Sequence, residues 1–200
     1  MPEAEYPLTF SVDYPDRSLN RLTTGLRIFT VIPILIVLAA LGGGYGWAGF
    51  AFAGILFIPT LLMIVFRQKY PRWWYEWNLQ FLRFSNRVSV YLALMDDRYP
   101  STDEQQSVHL EFPYPDVERE LNRWLPLVKW FLAIPHYIVL SVLWILAFVC
   151  VVIAWFAILF TGRYPEGLFR IVESVLRWGN RVVAYAFLLI TDRYPPFSFS

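Results

Sequence analysis

Two long segments of the chain are apolar and contain no formally charged side chain. Neither residues 28–66 nor residues 130–162 include Asp, Glu, Lys or Arg. A membrane-spanning helix needs about 20 apolar residues, so the first segment is long enough for two crossings. The glycine-rich residues 42–46 interrupt it, and glycine clusters favour turns. We therefore predict a transmembrane helical hairpin whose tip lies at these glycines.

The second segment allows two interpretations, because it contains no internal glycine turn. As one helix it would be about 50 Å long, more than the roughly 30 Å of hydrocarbon in a bilayer. If residues 125–129 are added to the segment, with the Lys129 ammonium reaching the membrane surface, the segment is long enough for two short crossings. Basic residues flank both segments at each end, and Lys and Arg are enriched on the cytoplasmic side of membranes. We predict a second hairpin and place both termini in the cytoplasm. Whether residues 130–162 cross the membrane once or twice stays open.

An amphipathic helical pattern follows each apolar segment. Polar residues recur every three or four positions from Glu76 to Arg87 and from Glu166 to Arg181. With many Trp and Phe neighbours, this pattern is typical of a long helix in the headgroup layer. The alternative is a helix that packs on the spanning bundle with a solvated face. The predicted lipid-headgroup ligands are the arginines at matched positions, Arg83, Arg87, Arg177 and Arg181.

Strand periodicity occurs near the start of each half of the chain. Apolar residues alternate with mostly polar ones in residues 6–14 and again in residues 108–112. We predict that these strands pair in a small cytoplasmic β element, to which Phe197 and Phe199 add a third short piece. The polar residues 101–107 form the linker between the halves.

The two halves share an ordered series of short motifs, which predicts two tandem repeats. The first repeat covers residues 1–100 and the second covers residues 108–200. Equal numbers of crossings would relate them by an axis along the membrane normal. The matched motifs are Tyr14-Pro15-Asp16 and Tyr114-Pro115-Asp116, Leu19-Asn20-Arg21 and Leu121-Asn122-Arg123, Ile32-Pro33 and Ile134-Pro135, Leu82 to Val88 and Leu176 to Val182, and Asp97-Arg98-Tyr99-Pro100 and Asp192-Arg193-Tyr194-Pro195.

The motifs of the second half resemble a known family. Ala133-Ile134-Pro135-His136, residues 161–167 (Thr-Gly-Arg-Tyr-Pro-Glu-Gly) and residues 192–197 (Asp-Arg-Tyr-Pro-Pro-Phe) are similar to the bacterial membrane family catalogued as a domain of unknown function, DUF4389. In the first half the second of these motifs is altered to residues 67–71, Arg-Gln-Lys-Tyr-Pro. The resemblance implies two tandem copies of a membrane unit and supplies no activity.

Candidate chemistry along the chain is sparse. Asp97, Arg98, Asp192 and Arg193 close the repeats, and we expect them to form structural ion pairs, with a functional switch as the alternative. The histidines are His109 and His136, and His136 lies within an apolar segment, where an ionisable group is a functional candidate. The single Cys150 excludes an internal disulfide and zinc sites with paired cysteines. We expect no metal and no cofactor.

Composition and charge narrow the function classes. The chain is 57% hydrophobic and 16% charged, against roughly 25% charged residues in soluble domains. A net charge of +1 gives no bulk attraction to nucleic acid. The sequence therefore predicts an all-α integral protein of the bacterial inner membrane. We expect it to be non-catalytic, a self-assembling homo-oligomer or an accessory subunit of a larger complex, in contact with membrane lipids that include anionic phospholipid. The alternatives are a small transporter or channel and a membrane enzyme that acts on lipids.

Overall fold

The computed structural model describes residues 6–41 and 57–199 of the chain. The predicted hairpin tip at residues 42–46 lies outside the described residues. The described part is mostly helical and contains one small sheet. Its helices are α1 (Arg21–Gly25), α2 (Arg27–Thr30), α3 (Ile32–Leu41), α4 (Phe57–Leu62), α5 (Arg72–Leu92), α6 (Val117–Glu120), α7 (Pro126–Leu132), α8 (Ile134–Thr161) and α9 (Glu166–Ala186). A π-helical segment, Met63–Arg67, continues α4.

The predicted strands of the two halves pair with each other. Strand β1 (Thr9–Val12) runs antiparallel to β2 (Val108–Glu111), with Phe10 opposite Leu110. Alternate residues of both strands are buried, as the period of two in the sequence requires. We call this pair the ribbon. The third piece is not formed, because Phe197 and Phe199 lie outside any strand and pack instead as aromatic side chains.

Both predicted long helices are present, and they pack against the ribbon. Each begins directly after a Tyr-Pro pair, since α5 follows Pro71 and α9 follows Pro165. The Arg83 Nε donates a hydrogen bond to the Leu110 carbonyl, and the Arg177 Nε donates to the Phe10 carbonyl, each at 2.9 Å. Each helix is therefore bonded to the strand that belongs to the other half of the chain.

The two long helices meet at a reciprocal pair of buried amides. The Asn86 Nδ2 donates to the Asn180 Oδ1 at 2.8 Å, and the Asn180 Nδ2 donates to the Asn86 Oδ1 at 2.7 Å. Each Nδ2 also donates to a carbonyl one turn earlier in its own helix, that of Leu82 or Leu176. Both amides are thus satisfied in the interior, as buried polar groups must be.

The second apolar segment does not form the predicted hairpin. A single helix, α8, runs through 28 residues from Ile134 to Thr161, preceded by the short helix α7 and a break at Ala133. No glycine or proline occurs between Pro135 and Gly162, so nothing in this stretch favours a chain reversal. The helix ends at Gly162, whose φ of 75° is the left-handed conformation common at helix ends.

Several contacts occur twice, at positions that the motif alignment matches. The Tyr14 hydroxyl donates to the Tyr164 carbonyl, and the Tyr114 hydroxyl donates to the Tyr70 carbonyl. In both cases a tyrosine from the start of one half bonds to the Tyr-Pro pair in the other half. The two halves therefore interlock through exchanged contacts.

Candidate functional site

The dominant surface feature is the apolar outer face of α8. One stripe of this helix is buried along its whole length, at His136, Leu140, Ala147, Cys150, Ala154 and Ile158. The opposite side is open, with exposed fractions of 66% for Ile145, 68% for Phe148 and 78% for Phe160. Exposed apolar patches this continuous are rare on soluble monomers and mark contact with lipid or an apolar partner.

Neighbouring elements extend this apolar surface. In α2 and α3, Ile28 and Ile36 are more than half exposed, and so is Phe66 at the end of the π-helical segment. Trp124 lies just before α7 and Phe131 lies within it, and both side chains are also more than half exposed. Aromatic side chains beside apolar helices are typical of the boundary between hydrocarbon and headgroups.

One helix in the described part of the chain, Ile134–Thr161, is long and apolar enough to cross a membrane. Only 22% of its most apolar window is buried inside the protein. A core helix of a soluble protein would be mostly covered, so the exposure favours an apolar environment outside the protein.

Two buried cations fix the starts of the apolar helices. The Arg27 NH1 donates to the Tyr91 carbonyl at 2.9 Å and also to the Asp96 carbonyl, and its guanidinium lies 4.0 Å from the centre of the Tyr91 ring. The Lys129 Nζ donates to the Thr191 carbonyl at 2.7 Å and lies 5.2 Å from the centre of the Tyr185 ring.

These two cation sites occupy matched positions of the two halves. Arg27 lies seven residues after Asn20, as Lys129 does after Asn122. From the sequence both cations resemble ordinary charges that flank an apolar segment. Their partners lie far away in the sequence and only the fold brings them close. The alignment of the two halves was the sequence signal that could have shown that the two cations occupy equivalent positions.

Each aspartate of the predicted ion pairs binds residues at the start of its own half of the chain. Asp97 pairs with Arg17, and its carboxylate also accepts the Asn20 N–H at 3.3 Å. Asp192 pairs with the Lys129 Nζ at 2.6 Å and accepts the Asn122 N–H, also at 2.6 Å.

Arg98 and Arg193 follow these aspartates. The Arg98 Nε pairs with Asp96 at 3.0 Å, and the Arg193 N–H donates to the Thr191 hydroxyl at 3.1 Å. These two contacts are local, whereas the aspartates hold the end of each half against its own start.

Asp96 is a buried carboxylate that sequence reasoning missed. Burial opposes its ionisation, but hydrogen bonds from the Ser107 hydroxyl and the Arg98 N–H and the charge of Arg98 outweigh burial, so its pKa is lowered. The Ser107 Oγ lies 2.7 Å from the Asp96 Oδ2. Asp96 therefore stays ionised near neutral pH and binds the linker to the end of the first half.

The four predicted headgroup arginines lie on the ribbon side of the long helices. Arg83 and Arg177 donate to ribbon carbonyls, and Arg177 also pairs with Glu173 at 2.8 Å. Arg87 donates to the Ser101 carbonyl at 2.8 Å, and Arg181 lies over the Tyr6 ring. Burial lowers the pKa of both Arg87 and Arg181. Three of the guanidinium groups are directed toward the protein by hydrogen bonds and that of Arg181 by the Tyr6 ring, and a role in headgroup binding stays a prediction.

The two histidines have different surroundings. The His136 ring is wholly buried, its Nδ1 accepts a hydrogen bond from the Trp178 Nε1 at 3.0 Å, and it stacks on Phe197 with 4.0 Å between ring centres. His109 lies on the ribbon, 3.0 Å from the Asp13 carboxylate. His136 thus joins the start of α8 to α9 and to the C-terminal segment.

Residues 6–41 and 57–199 contain no group of three or more His, Cys, Asp or Glu side chains placed to hold a metal ion. A shallow cleft of about 590 Å³ lies between residues 68–72 and residues 114–118. Its lining contains Lys69 and Arg72 on one side and Asp116 and Glu118 on the other. Arg72 pairs with Glu76 and Asp116 pairs with Arg119, and the lining carries two cations and two carboxylates, so its formal charges sum to zero.

Comparison with known proteins finds a match for part of the chain. No curated protein and no solved structure matches it. Residues 124–198, which contain α7, α8 and α9, match the model of one family. The resemblance seen in the sequence is confirmed for this segment, which is similar to the family described as Domain of unknown function (DUF4389).

Proposed function

We propose that this protein is a non-catalytic membrane component, a self-assembling or accessory subunit that contacts lipid through its apolar surface. The observation that carries the proposal is the outer face of α8, which is exposed along the whole helix. An apolar surface of this size gains free energy when hydrocarbon or another apolar surface covers it, at about 25 cal/mol per Å². We place the protein in the inner membrane of a bacterium, as a multi-pass protein with both termini cytoplasmic.

We also propose that the chain consists of two tandem copies of one unit, residues 1–100 and 108–200. The exchanged tyrosine bonds, the two arginine bonds to the ribbon and the matched cation sites support this division. The Asn86–Asn180 pair joins two matched positions directly, as expected near a twofold axis that relates the copies.

An organising role agrees with the distribution of polar groups. The buried charges are engaged in bonds within the fold, as at Lys129 and Asp192, and α8 offers no row of ionisable groups for an ion path. Anionic phospholipid remains our expected lipid partner, through Arg83, Arg87, Arg177 and Arg181. Because these arginines also have partners inside the protein, a substitution must be tested for folding as well as for lipid retention.

The first test is native mass spectrometry of the protein extracted gently from its own membrane. A homo-oligomer with bound anionic lipid, or a stoichiometric complex with another membrane protein, is the expected result. Phe148→Glu, which places a charge at the centre of the exposed face of α8, should strongly reduce the bound lipid. Gln105→Glu, in the exposed linker, is the matched control and should leave the bound lipid unchanged. A bare monomer without lipid would contradict the proposal.

A further inference from the structure

Helix α9 packs antiparallel along α8. The chain reverses at residues 162–165, between the end of α8 and the start of α9. The last turns of α9 return to the start of α8, where Val182 and Tyr185 belong to one buried cluster with Ala133 and Leu140. In the second half of α9, the Trp178 Nε1 bonds to His136, and the next residue, Gly179, faces the Trp144 ring, since a Cβ at position 179 would lie 3.8 Å from the Trp144 Cζ2. The direction of α8 therefore sets the direction of α9.

Helix α9 carries charge from its first turn almost to its last. Arg170 pairs with Glu166, and their side chains are 73% and 58% exposed. Further along, Glu173 accepts the Val12 N–H at 3.2 Å and Arg177 donates to the Phe10 carbonyl, so this part of the charged face is turned to the ribbon. The charged residues of α9 are Glu166, Arg170, Glu173, Arg177 and Arg181.

The segment that contains β1 is linked to both ends of α8, to the start through the C-terminal segment and to the end through Tyr14. At its start, His136 stacks on Phe197, and the Phe199 carbonyl accepts a hydrogen bond from Arg177, which also bonds to Phe10. At its end, the Tyr164 carbonyl accepts a hydrogen bond from Tyr14.

These two attachment points are close together compared with the helix. Phe10 and Tyr14 are at most about 14 Å apart even in an extended chain. Helix α8, with 28 residues, is about 42 Å long. Glu173 and Arg177, in the middle part of α9, bond to Val12 and Phe10, so the ribbon lies beside the middle of α9, which packs along α8.

A transmembrane direction for α8 would carry the charges of α9 into the hydrocarbon. Charged side chains are costly at the centre of a membrane, even where they form pairs. A direction parallel to the membrane avoids this cost, because the ribbon and the charged face of α9 then stay on one side. The outer face of α8 would enter the bilayer by about 5–10 Å, as the apolar face of an interfacial helix does, and α9 supplies the polar side that α8 lacks.

We propose that α8 lies in the plane of the membrane, within a single leaflet, and does not cross the bilayer. The occupant of its exposed face is the hydrocarbon of that leaflet. This inference rests on the proposed membrane function, specifies how α8 enters the bilayer, and leaves the crossings of the proposed multi-pass topology to the first apolar segment, residues 28–66.

The test measures the depth of three nitroxide labels along the exposed face. The background is Cys150→Ala, and single cysteines replace Val142, Val149 and Phe156, which are seven residues apart and exposed by 63%, 47% and 51%. The protein is reconstituted in vesicles of phosphatidylcholine and phosphatidylglycerol. The depth of each label is obtained by comparing its relaxation by oxygen with its relaxation by a nickel chelate. A fourth label at Thr102, in the exposed linker, is the aqueous reference.

If α8 lies flat, the three labels have the same depth within a few Å. If α8 crosses, the label at position 149 is deeper than both others by up to about 10 Å, because seven residues rise by that amount. That result would overturn the inference and leave the proposed membrane function intact. If the three labels are as exposed to water as the label at position 102, the inference and the proposed membrane function are both contradicted. Strong spin–spin broadening at all three positions would assign the face to a second copy and overturn the choice of lipid.

Sidedness gives an independent readout that does not use the exposed face. Cysteines at Glu120, before α7, and at Arg163, after α8, are both exposed. In sealed vesicles, a membrane-impermeant maleimide should label both from the same side. Labelling from opposite sides would show that the segment between them crosses the membrane.

Discussion

The reciprocal amide pair between α5 and α9 provides a sharp test of how the two long helices are held together. Replacing Asn180 with Leu, which has nearly the same shape, removes both hydrogen bonds between the helices. It leaves one N–H and the Oδ1 of Asn86 unpaired at a residue that is only 4% exposed. Each unpaired buried group costs about 1–3 kcal/mol, so we expect the free energy of unfolding to fall by roughly 2–5 kcal/mol.

The double variant distinguishes this explanation from a general loss of packing. In Asn86→Leu/Asn180→Leu no amide is left unpaired, and two apolar side chains of similar volume face each other. The destabilisation should be no larger than that of either single variant, so the coupling energy is at least as large as the effect of one single variant, roughly 2–5 kcal/mol. Urea unfolding in mild detergent, followed by far-UV circular dichroism, measures all four proteins of the cycle.

A matched control comes from a second buried amide on α5. The Asn78 Nδ2 donates to the Trp74 carbonyl at 2.8 Å, within its own helix, and lies two turns, about 12 Å, from Asn86. Asn78→Leu combined with Asn180→Leu should therefore be additive within about 0.5 kcal/mol. Additivity of the Asn86 and Asn180 substitutions would refute the proposed reciprocal pairing.

Further predictions concern the buried charges and the end of α8. Lys129→Met removes the ion-pair partner of Asp192 and should lower the free energy of unfolding by about 3 kcal/mol, part of which Asp192→Asn in the same chain should restore; thermal unfolding in detergent measures both. Gly162→Ala is strained by the φ of 75° and should cost about 1 kcal/mol in the same assay, whereas Gly167→Ala, in a helix and with open space at its Cβ, should be neutral or stabilising. Because the folded pKa of Asp96 is lowered, its stabilisation is present above the unfolded pKa of about 4 and is lost as pH falls through the lower folded pKa. Asp96→Asn should therefore lower stability at pH 7 and reduce the further loss in acid, and an unchanged pH profile would contradict this role.

The elements that the sequence predicted correctly have a strong local period. The alternation around Phe10 and Leu110 indicated strands, and the ribbon forms there. The spacing of three and four residues in α5 and α9 indicated helices with one polar face, and both helices are present. Such patterns reflect one buried face, so they can be read without knowledge of the partner that covers it.

The second apolar segment could not be interpreted in this way. Nearly every residue of α8 is apolar, so the sequence shows no contrast between the stripe that faces α9 and the exposed side. The choice between a hairpin and one helix depended on the contacts of both ends, such as those of His136 and Tyr164. The partners of Arg27 and Lys129 lie more than 60 residues away in the chain, which no local pattern reveals.

Under the proposed division into two tandem copies, the exchanged tyrosine bonds have a consequence for chains with a single copy. Tyr14 bonds to the Tyr164 carbonyl, and Tyr114 bonds to the Tyr70 carbonyl, so neither half closes its own contacts. A polypeptide with only one unit would present an unpaired strand and half of an amide pair. Two such polypeptides could complete each other only by exchanging these segments, so a relative with a single unit is expected to be an obligate, intertwined dimer. In the present chain the linker makes that assembly independent of concentration.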